Sequence, residues 1–233
     1  MNVKCSIVCD FCDALMTSRD MGETVAFSKL SSNEKFSRTI FETENFSVIC
    51  GIGAFVEGYV LLLPKDHYIS MAHLDKELER EFITVHNRLV GILREIYTDV
   101  IVFEHGAMEV EEPSLFYGQG GGACVDHAHF HYIPVRGIAG ELLSHLKSAF
   151  SFRAIEDLSV LGSQAKRQVP YLFLQSDSGE KYIFDAPDIE SQYLRRRISE
   201  LCGVPNKWNW RSYPEVDKML RTVKRINSLV ESR

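Results

Sequence analysis

The stretch "GGACVDHAHFHYIPV", residues 121–135, places histidines at 127, 129 and 131 with Ala128, Phe130 and Tyr132 between them. A spacing of two is the side-chain period of a β-strand, so an extended segment turns His127, His129 and His131 to one face. The alternate residues, continued by Ile133, are apolar and pack the opposite face. The plainest reading is a half-buried strand that carries histidines by chance. With only eight histidines in 233 residues, three in alternate places argue for a task instead. A row of imidazoles serves either a metal or phosphoryl chemistry. Alternate positions on one strand offer two ligands to a metal. In phosphoryl transfer one imidazole attacks phosphorus, and its neighbours neutralise charge on the phosphate and leaving oxygens. Histidine suits that work because its pKa lies near neutrality.

Upstream of the histidines, "AMEVEEPSLFYGQGGG" (107–122) is too long and glycine-rich for a tight hairpin and predicts a mobile loop near the site. Short β-rich runs precede it: "TVAFSKL" (24–30), "RTIFET" (38–43), "FSVIC" (46–50), "YVLLL" (59–63) and "VIVFEHG" (100–106). Between the last two, Leu78, Phe82, Val85, Leu89, Ile92 and Ile96 recur in steps of four and three. That is the apolar stripe of one long helix facing a core. Residues 1–136 therefore read as an antiparallel sheet with a crossing helix. From Gly137 the texture changes. "ELLSHLKSAF" (141–150) is helical by its leucine spacing, and "YLFLQSDSGEKYIFD" (171–185) is a hairpin around Ser-Asp-Ser-Gly. A helix is expected over 188–203, from an Asp188 cap to Gly203, and another over 214–231, opened by Pro214. Residues 137–233 form an α/β extension docked on the first part, with no linker of an independent domain. The fold class is α+β.

Composition narrows the function. Hydrophobic residues make up 45% and charged residues 25%, ordinary for a globular protein with a sizeable core. A formal net charge of −6 argues against non-specific nucleic-acid binding, but leaves room for a local cationic pocket. No apolar run reaches membrane-spanning length and "MNVKCSIVCDFCDAL" lacks a signal-peptide core, so a cytoplasmic protein is expected. The six cysteines then read as reduced thiols. Cys9 and Cys12 form a C-x-x-C pair, which fits a redox motif, half of a zinc site or simple packing; the redox reading lacks a βαβ context.

"HAHFHYI" (127–133) resembles the His-x-His-x-His-x-x signature of the histidine triad (HIT) superfamily. The resemblance covers about residues 9–136 in order: "CDFC" (9–12), "FETENFSVIC" (41–50), "GYVLLLPKDHYISMAHL" (58–74), the long helix, "VFEHG" (102–106) and the triad strand. It implies a HIT-like fold and nucleotide chemistry. By this resemblance His129 matches the nucleophile, which attacks an α-phosphorus and becomes nucleotidylated. His131 matches the residue that contacts the transferred phosphate and helps the leaving group, and His127 the one that holds the triad strand in place. Cys124 falls where relatives carry a hydroxyl residue that bonds phosphate, although a thiol is a weaker donor. Gly51 stands where many nucleoside-binding members have an acidic residue. His131 favours hydrolysis, because the uridylyltransferase branch has glutamine there. Several relatives hold structural zinc on positions matching Cys9, Cys12, His67 and His127, a set that suits tetrahedral Zn²⁺.

The resemblance thus implies a hydrolase of dinucleoside polyphosphates or nucleoside phosphoramidates, or a nucleotidyltransferase or phosphorylase, or a nucleotide-binding regulatory module. It also implies a homodimer. His105 in "FEHG" reads either as pocket lining or as a strand-end histidine bound to a backbone group. Arg195, Arg196 and Arg197, with Trp208, Trp210 and Arg211, read as a phosphate clamp or as the solvated side of a helix whose core face is Leu194, Ile198 and Leu201. His73, His86 and His145 sit in helical surroundings and have no task in this reading.

Overall fold

Eight strands form one antiparallel sheet in a computed structural model of the chain, which describes residues 9, 11–12, 37–108, 122–123, 125 and 127–231. They are β1 (Thr39–Glu42), β2 (Phe46–Cys50), β3 (Val60–Pro64), β4 (Val100–Gly106), β5 (Phe130–Pro134), β6 (Phe152–Ile155), β7 (Tyr171–Gln175) and β8 (Lys181–Asp185). Their spatial order is β1-β2-β3-β5-β4-β7-β8-β6. Among the helices that accompany them are α1 (Glu79–Tyr97), α2 (Ala139–Ala149), α3 (Gly162–Arg167), α4 (Tyr193–Leu201) and α5 (Val216–Glu231). The expected strand at 24–30 and most of the loop at 107–122 lie outside the described residues.

Runs such as "VLLLP" and "VIVF" are apolar without interruption because both faces of the sheet are covered. Val60, Leu62, Val102, Phe130 and Tyr132 pack in one core with Phe82, Val85 and Leu89 of α1 and Met219 and Val223 of α5. Leu61, Leu63, Ile101, Phe103 and Ile133 pack in the other with Leu142 and Leu146 of α2 and Leu194 and Ile198 of α4. Of the stripe expected on the long helix, Phe82, Val85, Leu89 and Ile92 are buried on α1, while Ile96 is half-buried and Leu78 comes just before the helix.

The extension continues the sheet. Strand β7 pairs with β4 from Val102↔Gln175 to Gly106↔Tyr171, and β8 and β6 follow outward. At Gly106 a side chain would collide with the Tyr171 ring, since a Cβ there would lie 2.0 Å from Cε1. The glycine lets the Tyr171 hydroxyl donate to Glu104 at 2.5 Å, while Met71 N–H donates to the other carboxylate oxygen at 2.7 Å. Burial pushes the Glu104 carboxyl up to about 7.

Helix α4 begins later than the sequence predicts. Asp188 does not cap it: Gln192 holds φ 61, its N–H donates to the Gly122 carbonyl, and Tyr193 N–H donates to Glu190. The backbone before Tyr193 is tied into turns and cannot join the helix. Gly203 does end it, at φ 74, with Cys202 N–H on the Ile198 carbonyl and Val204 N–H on Ser199. Strand β6 was not foreseen; it is an edge strand whose residues are exposed or half-buried, without the apolar alternation that marks a strand. No helix among the described residues is long and apolar enough to cross a membrane.

His86 of α1 is buried between strands. Its Nδ1 accepts from the Tyr132 hydroxyl at 2.9 Å and its Nε2 donates to Gln175 Oε1 at 3.1 Å. Burial, aided by the Lys181 and Arg94 charges, lowers its pKa to about 4 against the partial support of Gln175. A proton is thus bound by the unfolded chain at a higher pH than by the native one. This contribution to stability is complete above about pH 6.5 and is lost as pH falls toward about 4, costing about 2 kcal/mol by pH 5. Resistance to urea should therefore weaken from neutral to mildly acid pH, and His86→Gln should flatten that slope. An unchanged slope in the variant would contradict the assignment.

Candidate functional site

Strand β5 opens at Phe130, so of the three histidines only His131 lies in the ladder, opposite Leu61 of β3 and Phe103 of β4. His127 and His129 come just before it, where Ala128 N–H donates to the Tyr68 carbonyl at 2.6 Å. Ala128, Phe130 and Tyr132 all enter the core beneath α1, so the period of two persists. The rings of His129 and His131 lie 4.5 Å apart.

The hydrogen bonds define where the protons sit. His127 Nε2 lies 2.9 Å from the Pro64 carbonyl and His129 Nδ1 lies 2.7 Å from the His127 carbonyl. A carbonyl only accepts, so both nitrogens carry hydrogen. In the neutral ring of His129 the lone pair is then on Nε2. His131 Nδ1 is 2.7 Å from the Tyr59 hydroxyl, and its ring stacks on Phe103 with centroids 4.3 Å apart. Burial holds His127 and His129 down to about 4 and His131 well below the ordinary histidine range, with Arg195 adding to the effect on the last two.

The other nitrogen of His127 faces two thiols. Its Nδ1 is 3.6 Å from Cys9 Sγ and 3.5 Å from Cys12 Sγ, while Cys12 Sγ is 3.4 Å from His67 Nδ1. All four ligand atoms lie within 4.8 Å of one another. Ligand arms of about 2.3 Å to sulfur and about 2.0 Å to nitrogen, at tetrahedral angles, separate sulfur from nitrogen by about 3.6 Å. The set fits a tetrahedral metal ion, and the Pro64 carbonyl fixes the His127 tautomer that leaves Nδ1 as ligand. Cys9, Cys12, His67 and His127 are brought together as a candidate metal centre.

The remaining candidates are placed differently. Cys124 lies outside the described residues. His105 is on β4, 6.2 Å from His131 between ring centroids, and its Nε2 accepts from Leu194 N–H of α4 at 3.1 Å. Burial lowers it to about 3. Arg195 is not on the solvated side of its helix: it is 3% exposed and donates to Tyr59 Oη at 2.6 Å, the Gly53 carbonyl at 2.8 Å and the Trp208 carbonyl at 3.0 Å. Arg196 and Arg197 do pair with exposed carboxylates, Glu190 and Glu200. Arg196 also lies over Trp208 and Arg211 over Trp210. Two further residues went unread in the sequence. Phe11, between the cysteines, sets its ring 5.2 Å from His129 and 5.7 Å from His127. Tyr59 was legible in principle, because two residues on from it Leu61 stands opposite His131.

Part of the chain is similar to known proteins. The HIT domain family model matches residues 32–138. An uncharacterized HIT-like protein of Borreliella burgdorferi is 25% identical over 108 residues, 46% of this chain and 73% of that protein. A HIT family protein from Bacillus anthracis aligns structurally over 61% of this chain and 94% of its own, at 17% identity and a TM-score of 0.39. A Plasmodium falciparum diadenosine triphosphate hydrolase, solved with cyclomarin A, does so over 61% and 99%, at 19% identity and a TM-score of 0.34. Residues 32–138, which carry His67 and all three aligned histidines, are thus the part of this chain that matches the HIT domain.

Proposed function

We propose that this protein is a nucleotide phosphohydrolase that cleaves at the α-phosphate through a nucleotidyl-His129 intermediate. The observation that carries the reading is the 2.7 Å hydrogen bond from His129 Nδ1 to the His127 carbonyl. It orients the ring and leaves the Nε2 lone pair as nucleophile. Nε2 bonds to phosphorus as the bond to the leaving oxygen or nitrogen breaks. Water then displaces the imidazole, releasing a nucleoside monophosphate and restoring neutral His129. His131, whose ring lies 4.5 Å away, would donate to the phosphate or the leaving atom. The substrate class is dinucleoside polyphosphates or nucleoside phosphoramidates.

Release of nucleoside monophosphate from a diadenosine polyphosphate and from an adenosine phosphoramidate tests this, with and without added inorganic phosphate. Turnover should need no phosphate, and His129→Ala should lower kcat on the order of a thousandfold with the fold intact. An absolute need for phosphate would make the protein a phosphorylase. Binding without turnover would make it a regulatory module, and wild-type turnover by His129→Ala would end the assignment.

The same reading gives Cys9, Cys12, His67 and His127 a structural zinc ion. Bound there, zinc would lock the cysteine segment and Phe11 against the His127 ring and so steady the carbonyl that orients His129. Protein purified without chelator should contain about one zinc per chain. Cys9→Ser should lose the metal and melt earlier, since structural zinc supplies on the order of 10 kcal/mol of folding free energy. Metal analysis that finds no zinc would contradict this role and leave the chemistry of His129 standing.

A further inference from the structure

We infer that Tyr59 and Arg195 are positioning residues for His131: the Tyr59 O–H donates to His131 Nδ1, leaving Nε2–H to face the leaving group, and Arg195 holds the phenol oxygen from behind. The inference rests on the function proposed above and adds to it a role for the extension.

Arg195 can only donate, so at 2.6 Å the Tyr59 oxygen is an acceptor toward it. On the other side the same oxygen meets His131 Nδ1 at 2.7 Å. The guanidinium is fixed by all its nitrogens, Nη2 on the Gly53 carbonyl and Nε on the Trp208 carbonyl, and lies 5.0 Å from the centre of the Tyr59 ring. Gly53 is shaped for this. It holds φ +71, and a Cβ there would lie 2.5 Å from the Trp210 backbone, so the turn can offer its carbonyl only as glycine. Among the described residues no carboxylate pairs with Arg195, although it is 3% exposed. A buried cation that meets only neutral acceptors is costly for stability. Its charge is available instead to negative charge that develops on the phenol.

Such charge develops if His131 acts as an acid. Burial, with the nearby His129, Arg195 and His105 groups, keeps the ring neutral. A neutral imidazole gives up the proton on Nε2 readily only if another reaches Nδ1. As His129 Nε2 bonds to phosphorus, the leaving atom takes the His131 Nε2 proton, Nδ1 takes the Tyr59 proton, and the phenolate faces Arg195. When water attacks the intermediate, its proton goes to His131 Nε2 and the Nδ1 proton returns to Tyr59. One water is consumed and the protein recovers every proton.

Two measurements on the full-length protein test this. Nitrogen-15 NMR of histidine-labelled, substrate-free protein should show His131 protonated at Nε2 and bare at Nδ1, and Tyr59→Phe should release the other tautomer. Kinetics should separate leaving groups. With an adenosine alkylphosphoramidate, whose amine must leave protonated, Tyr59→Phe and Arg195→Ala should lower kcat by about tenfold or more with little change in KM. With the p-nitrophenyl ester of AMP, whose leaving group needs no proton, the loss should stay under about twofold. Arg195→Lys, which keeps the charge, should fall between wild type and Arg195→Ala. A wild-type His131 protonated at Nδ1, or equal losses on both substrates, would overturn the inference. If wild type turns over neither substrate, the proposed function falls, while the tautomer measurement still decides whether Tyr59 donates to His131.

Discussion

His127 makes three different connections from one residue, and the site depends on them together. Its Nε2 hydrogen is bound by the carbonyl at the end of β3, its Nδ1 is turned to the cysteine pair, and its own carbonyl holds His129. Rotating this ring would cost a buried hydrogen bond and the approach to both cysteine sulfurs at once. An unmade buried bond alone costs about 1–3 kcal/mol. The His129 ring is therefore oriented by a backbone carbonyl rather than by a flexible side chain. On the proposed function, a metal ion held by this set would act without touching substrate, by steadying the carbonyl that orients His129.

The extension serves the same site from the opposite side. Its strands lengthen the sheet at β4, the strand that carries Phe103 and His105. Its helix α4 meets two histidines of the site, through Leu194 N–H to His105 and through Arg195 and Tyr59 to His131. The first contact requires an unprotonated His105 Nε2, and burial lowers that ring to about 3. Residues 137–233 and the three histidines are thus linked through one continuous sheet and through the hydrogen bonds of α4.

Much of this was legible from residue spacing. The period of two at His127, His129 and His131 placed Ala128, Phe130 and Tyr132 in the core, and the stripe on α1 gave the covering helix. What spacing could not reach are partners distant in sequence. Arg195 sits in a run of three arginines that reads as a wet helix face, and two of the acceptors that meet it in the interior, Gly53 and Tyr59, stand 142 and 136 residues earlier. Joining β7 to β4 is likewise a long-range pairing, since "YLFLQ" would suit any buried strand. The late start of α4 comes from Gly122, whose carbonyl captures Gln192 N–H from outside the segment. Asp188 is a good local cap, and tertiary hydrogen bonding overrode it.

The central claim is that His129 Nε2 attacks phosphorus, and its most direct test is to catch the bond. Wild-type protein mixed with radiolabelled diadenosine polyphosphate and quenched within the first turnover under alkaline conditions, where phosphoramidates survive, should carry labelled nucleotide. Peptide mapping should place it on His129, and phosphorus-31 NMR should identify an Nε2-linked phosphoramidate. Label on another residue, or turnover under the same conditions with no covalent nucleotide at any time, would contradict the account.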